Sequence, residues 1–262
     1  MHADRPNVFG SILGRSMTIG LALSVVALFV LAEPHDALLK ADLIGFAACH
    51  RISERSLHID GFQLPVCARC TGIYVGLLAG WTWIAARRRS HAAQLPPRAI
   101  TRALIGFIVV MGVDGLNSTA NLAGLPHLYE TENWMRLVSG ALYGIAVSAL
   151  LTPYVTVTLW REPTGDSVLR SWGELIGLVG VAAGVVMLAL TEAAILLWPL
   201  VMISMVGAVG LMALMNTSIT TILLGRVNVY AGWRDLLMSG LIGVALALIE
   251  FAVLGALRAN LT

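Results

Sequence analysis

The stretch CARCTGIYVGLLAGWTWIAARRR, residues 67–89, decides the fold. From Cys67 to Ala86 it is apolar except for Arg69 and a few small polar residues, and it is about as long as the ~20 residues that cross a bilayer. Nothing in it alternates with a strand period. A spanning backbone has to satisfy its own hydrogen bonds, so the run reads as a helix. Three arginines, Arg87–Arg89, close it, and such a cluster marks a cytoplasmic helix end.

Six further runs read the same way: 12–32, 102–121, 136–159, 173–191, 193–214 and 236–257. Of 262 residues, 58% are apolar and 12% charged, against roughly 25% charged in soluble domains. The expected fold class is all-α, a polytopic transmembrane bundle of about seven helices. The hairpin at Thr191-Glu192 and the stretch 216–224, which either extends the sixth helix or lies at the interface, are the open boundaries. The first run has no small-x-small cleavage site and reads as an anchor. With the N-terminus inside, the inner segments carry eleven basic residues, from Arg5 and Arg15 to Arg226 and Arg234. The outer segments carry six: Lys40, Arg51, Arg55, Arg69, Arg136 and Arg258. The expectation is therefore N-in, C-out, in the cell membrane. The net charge of +2 says nothing about nucleic acid, the basic residues sit at helix ends, and no nucleic-acid partner is expected.

One integral membrane domain, 1–262, is expected. Within it, 33–70 forms an outer-face loop, 71–159 holds the helices nearest to that loop, and 160–262 is a C-terminal helical part without an assigned role. Long loops in compact proteins are usually functional or disordered, and this one holds the chain's chemistry. All three cysteines, Cys49, Cys67 and Cys70, lie within 26 residues, with His50, His58 and three arginines among them. Pro65 suits the start of a helix, which places Cys67 and Cys70 at i and i+3 on one face of its first turn. A helix N-terminus and neighbouring arginines push thiols toward thiolate. Three sulfurs and one imidazole suffice for a tetrahedral site on Cys49, His50, Cys67 and Cys70, holding one metal ion, zinc ahead of iron. Adjacent ligands such as Cys49-His50 strain a single ion, so one of them need not coordinate. Two other readings stay open: a redox-active Cys67/Cys70 pair resolved by Cys49, and a structural disulfide to Cys49.

The string Leu64-Pro65-Val66-Cys67-Ala68-Arg69-Cys70-Thr71-Gly72-Ile73-Tyr74, with Cys49-His50, Arg55-Ser56, Gly61 and Gly76, resembles the signature of a prokaryotic family of predicted membrane proteins known as domain of unknown function 2085. Asp114-Gly115 and Asn133-Trp134-Met135-Arg136 are similar to its second element. The resemblance covers about residues 45–150. It departs from the family pattern at Ser53, where a proline often stands shortly after Cys-His. It implies a membrane protein with a Cys/His/Arg centre and supplies no activity.

Ionisable residues inside a membrane are costly and point to function. Asp114 lies about 18 Å into its helix from Arg102, and Cys70 about 26 Å from Arg87, so both fall in the outer half at similar depth. Asp114, Asn117, Ser118 and Asn121 share one helix face. Asp114 is expected to serve as acceptor for His50, counter-ion for Arg55 or Arg69, or proton acceptor, while the asparagines act as interhelical glue. Arg55 and Arg69 are expected to anchor an anion or carboxylate. Glu250 is expected to snorkel or to pair with an outer arginine. Glu174 and Glu192, at helix ends, read as solvated. Gly72, Gly76 and Gly80 form one small-xxx-small ridge, and Gly140 and Gly144 another, so the helix bearing the cysteines is expected in the bundle interior. Met202, Met205, Met212 and Met215 read as packing, and His2, His35, His91 and His127 carry no assignment.

The sequence contains no Walker loop, dinucleotide fingerprint, His-Glu-x-x-His motif or nucleophile elbow. The leading expectation is a metal centre serving a small or membrane-resident substrate. The rivals are a thiol–disulfide or quinone-linked oxidoreductase, and a non-catalytic assembly subunit clipped by zinc. A transporter ranks lower because no inverted repeat is found. Partners are the bilayer, other membrane proteins or a second copy of the chain.

Overall fold

The computed structural model describes residues 12–261. Arg5 and His2 lie outside the described residues. Among the described residues the chain is an all-α bundle of eight α-helices: α1 (Ile12–Leu31), α2 (Ala37–Ala48), α3 (Ala68–Ala86), α4 (Arg98–Leu122), α5 (Asn133–Leu159), α6 (Trp172–Ala189), α7 (Leu197–Leu223) and α8 (Trp233–Ala259). Among the described residues five segments are long and apolar enough to cross a membrane: 98–122, 133–159, 172–189, 194–223 and 233–259. α1 and α3 coincide with the other two expected runs.

The apolar runs marked hydrocarbon, and several helices continue past them. The stretch after Asn216 extends α7 to Leu223. Its hydroxyls are absorbed by their own helix: Thr217 Oγ1 donates to the Ala213 carbonyl at 2.7 Å, Ser218 to Leu214 at 2.9 Å and Thr220 to Asn216 at 2.7 Å. The segment 33–66 is more regular than expected from sequence. It holds α2, a 3-10 turn (Ser53–Arg55) and an antiparallel hairpin of β1 (His58–Ile59) and β2 (Phe62–Gln63). Asp60 and Gly61, both with positive φ (53° and 79°), form the two-residue turn of this hairpin. Leu57, Ile59, Leu64 and Val66 are fully buried beneath it, together with Cys49 and Cys67. Burying each such aliphatic side chain contributes roughly 1.5–3 kcal/mol, and they share one cluster with Val75, Leu137 and Phe251 of the helices, so the loop is tied into the bundle core. At the opposite end of α3, β3 (Ala92–Gln94) and β4 (Thr164–Ser167) pair in parallel.

The two glycine ridges meet. A Cβ on Gly72 would lie 2.1 Å from the Leu137 carbonyl oxygen, and one on Gly76 2.0 Å from that of Ala141. Reciprocally, a Cβ on Gly140 would lie 2.2 Å from the Arg69 oxygen, and one on Gly144 2.1 Å from that of Ile73. No side chain fits between α3 and α5, so the backbones touch. This contact brings the first turn of α3, with Arg69 and Cys70, against the first turns of α5. α4 packs on α5, α7 packs on α3, and α8 packs on α7, α1 and α2.

Candidate metal and arginine centre

Cys49 follows the last residue of α2, where its N–H still bonds the Gly45 carbonyl at 2.8 Å. Gly45 itself sits against Pro65, where a Cβ would lie 2.0 Å from the proline oxygen, so α2 is clamped to the segment entering α3. Cys67 is the N-cap of α3, one residue before the helix, and its N–H points at Cys49 Sγ at 3.3 Å. Cys70 follows in the first turn. The three sulfurs lie within 4.8 Å of one another, and all three thiols are free. Zn–S bonds of ~2.3 Å in a tetrahedron set sulfurs ~3.8 Å apart, so the trio fits a common ion with little movement.

His50 is placed differently. Its Nδ1 lies 3.3 Å from Cys49 Sγ, but the imidazole is not within the mutual set that the three sulfurs form. The Cys67 and Cys70 contacts hold the Cys49 thiol far below its ordinary value, and His50 adds to this. The same contact, with Cys49 and then Cys67, raises the His50 imidazole to about 9. A thiolate–imidazolium pair of this kind is what a metal would displace, releasing protons as it binds. Arg51, next in sequence, has a positive φ of 51° and pairs with Asp42 of α2 at 2.9 Å. Arg258 from the last turn of α8 donates to the carbonyls of Phe46, Cys49 and His50, fastening the Cys-His backbone to the far end of the chain.

A second cluster adjoins the sulfurs. Asp114 is 4% exposed, and its carboxylate accepts from Arg69 Nη2 at 2.5 Å and Nε at 3.1 Å, from Ser139 Oγ at 3.1 Å and from Tyr129 Oη at 3.2 Å. Of the partners expected for it, the structure supplies Arg69; neither His50 nor Arg55 bonds it. Partial burial, then the carboxylate itself, raises the Tyr129 phenol above its usual value, so it remains a donor. Arg55 is buried and donates to the Ser118 carbonyl at 2.8 Å. Asn117 does not join two helices. It holds the loop after α4, bonding the backbones of Leu128 and Tyr129 and the hydroxyl of Thr131.

Three residues went unassigned in the sequence. Arg136 is 7% exposed in the first turn of α5, bonding Asn133 Oδ1 at 2.9 Å and Ser118 Oγ at 3.4 Å. Its i, i+3 spacing to Ser139, beside Gly140, was the available signal. Tyr129 and Arg258 had none, because long-range folding alone brings them here. Elsewhere two expectations are corrected. Glu174 is not solvated: it accepts from Arg89 at 2.8 and 2.9 Å, Arg87 at 3.1 Å and the Arg170 N–H at 2.8 Å. Glu250 pairs with Asn216 of α7 at 3.0 Å instead of an arginine. His91 stacks on Trp160 with ring centroids 4.2 Å apart.

A helical bundle that concentrates free thiols, an imidazole and guanidinium groups at one end of its central helix pair is a membrane protein organised around a polar centre. The chain belongs to the family of predicted membrane proteins called domain of unknown function 2085, whose model matches residues 49–150. An uncharacterised protein of Methanocaldococcus jannaschii is 33% identical over 114 residues, covering 44% of this chain and 67% of that protein. A second, from Methanothermobacter thermautotrophicus, is 31% identical over 106 residues, 39% of this chain and 82% of its own length. No solved structure matches. The matched region contains all three cysteines, Arg55, Arg69, Asp114 and Arg136; Arg258 and the last three helices lie beyond it.

Proposed function

We propose that Cys49, Cys67 and Cys70 bind one metal ion, zinc in preference to iron, and that this centre serves a small or membrane-resident substrate. The observation that carries this is the mutual approach of the three sulfurs within 4.8 Å, delivered by two separate segments. Three thiolates are a soft donor set that suits zinc. His50 is the fourth ligand if its ring turns from its contact with Cys49, and otherwise an acid/base beside the site. Arg55 and Arg69 act as oxyanion anchors, with Asp114 holding Arg69 in place. By the distribution of basic residues the centre lies on the outer face of the cell membrane.

The test is elemental analysis of protein purified in mild detergent without chelator. About one zinc per chain is expected, and Cys49→Ser, Cys67→Ser and Cys70→Ser should each lose it. Metal content unchanged by all three substitutions would sink the proposal. One rival has an observation in its favour: the depressed Cys49 thiol beside the Cys67/Cys70 pair is an arrangement that thiol–disulfide exchange uses. That reading predicts no stoichiometric metal and a reversibly reducible disulfide.

A further inference from the structure

Between α4 and α5 runs a groove of about 470 Å³, within the ~300–1,000 Å³ of small-molecule sites. Val109, Val113 and Val138 wall it, and Asp114, Tyr129 and Ser139 are its polar lining. Val109 and Val113 are about half exposed on a helix long and apolar enough to span the membrane, so the groove opens toward lipid. Asp114 lies eight residues before Leu122, the last of α4, about 12 Å along the helix axis. Val109 lies five residues, roughly 7.5 Å, closer to mid-span. A polar head at Asp114 with a chain along the valines is thus the natural orientation of an amphiphile entering from the nearer leaflet.

The two carboxylate oxygens of Asp114 are unequally used. Oδ2 accepts from Arg69 Nη2 at 2.5 Å, from Arg69 Nε at 3.1 Å and from Ser139 Oγ at 3.1 Å. Among the described residues Oδ1 accepts from Tyr129 Oη alone, at 3.2 Å, well beyond the ~2.5–2.7 Å of a strong O–H···O⁻ bond. Oδ1 therefore has a lone pair to spare, and its contact with Tyr129 is long enough to open for a third group.

The surroundings select against either charge in that group. An anion entering the groove meets the carboxylate, since the arginines stand outside its lining. A cation meets a carboxylate whose charge Arg69 already answers, with Arg55 and Arg136 buried one turn further on at Ser118. Either ion would also have to leave its water behind to reach this depth in a spanning segment, which a hydroxyl does at far lower cost.

We propose that the α4/α5 groove binds an uncharged, single-chain lipid alcohol. Its hydroxyl donates to Asp114 Oδ1 and accepts from Tyr129 Oη, and its chain lies along Val113, Val109 and Val138. This gives a chemical class to the membrane-resident substrate of the functional reading, on which it rests for its role but not for its geometry, because no cysteine takes part.

The test is photolabelling of the full chain in phosphatidylcholine nanodiscs, with a hexadecanol carrying a diazirine in its chain as probe and peptide mass spectrometry as readout. Label should concentrate saturably on residues 105–116 and 134–139. Four competitors share the sixteen-carbon chain and differ in the head: hexadecanol, its methyl ether, hexadecylammonium and palmitate. At equal mole fraction in the bilayer, hexadecanol should displace the label about tenfold more effectively than the ether, which cannot donate, and than either ion. Val113→Trp, which fills the groove at a lipid-facing position, should reduce labelling about tenfold, and Tyr129→Phe, which removes only the hydroxyl, several-fold. Metal content measured on the same samples should be unchanged in both variants, so that failure of this site and failure of the metal centre read out separately. Label concentrated elsewhere, or equal displacement by alcohol and ether, would overturn the proposal. Stronger displacement by either ion, or labelling untouched by both variants, would overturn it as well.

Discussion

Replacing Asp114 by alanine removes the carboxylate that meets Arg69 and leaves a buried guanidinium beside two others. The structure sets the scale. Asp114 is 4% exposed; its Oδ2 takes two bonds from Arg69 and one from Ser139, and its Oδ1 one from Tyr129. Breaking a buried pair by deleting one partner costs about 3–5 kcal/mol, most of it the penalty of the charge left behind. The Ser139 hydroxyl loses less, because it also bonds the Arg136 carbonyl at 3.2 Å. Arg69→Met should cost a similar amount, since it strands the carboxylate. The double variant Arg69→Met/Asp114→Ala strands neither, so its cost should fall well short of the sum, with a coupling of several kcal/mol. Reversible unfolding by denaturing detergent in mixed micelles, followed by loss of helicity, reads all four proteins. A single-variant cost below about 1 kcal/mol, or additive costs in the double variant, would show that the ion pair does not hold α3 to α4.

Gly140→Ala should destabilise by about 1–3 kcal/mol or more, because its methyl would lie 2.2 Å from a backbone oxygen that cannot rotate away; Gly106→Ala, which meets nothing within 4 Å, is the control and should be near neutral in the same unfolding assay. Arg258→Gln removes the donor to the Phe46, Cys49 and His50 carbonyls, and should speed both zinc loss to chelator and labelling of Cys49 several-fold; unchanged rates would mean that α8 does not brace the sulfur centre. Metal retention should weaken on acidification, since protons compete for all three sulfurs, and a chelator competition at pH 8 and pH 6 should show release at the lower pH.

Much of the architecture could be read from hydrophobic runs and small-residue spacing. Gly72, Gly76, Gly140 and Gly144 predicted that α3 and α5 would touch, and they do because any Cβ there strikes backbone. Asp114 and the first turn of α3 were placed at one depth by helical rise alone, and the Arg69–Asp114 pair follows from that arithmetic. The gathering of the cysteines was equally visible, since all three fall within 26 residues.

The misses share a physical origin. Helix ends overran the apolar runs because Thr and Ser side chains satisfy themselves on the preceding turn, so polarity did not end α7. Glu174 read as solvated because its partners Arg87 and Arg89 lie 85 or more residues away in sequence. Arg258 reaches Cys49 across 209 positions, and no local pattern announces such a contact. Arg136 was counted as an outer charge, although burial among other arginines is what distinguishes it.

X-ray absorption at the zinc K-edge of the purified, chelator-free protein tests the central claim most directly, because it reads the atoms around the metal. The account predicts a first shell of three sulfurs at ~2.3 Å, with one nitrogen at ~2.0 Å if His50 completes the tetrahedron, or a light oxygen donor if it does not. A shell of nitrogen and oxygen without sulfur, or no zinc edge in protein whose thiols have become a disulfide, would contradict it.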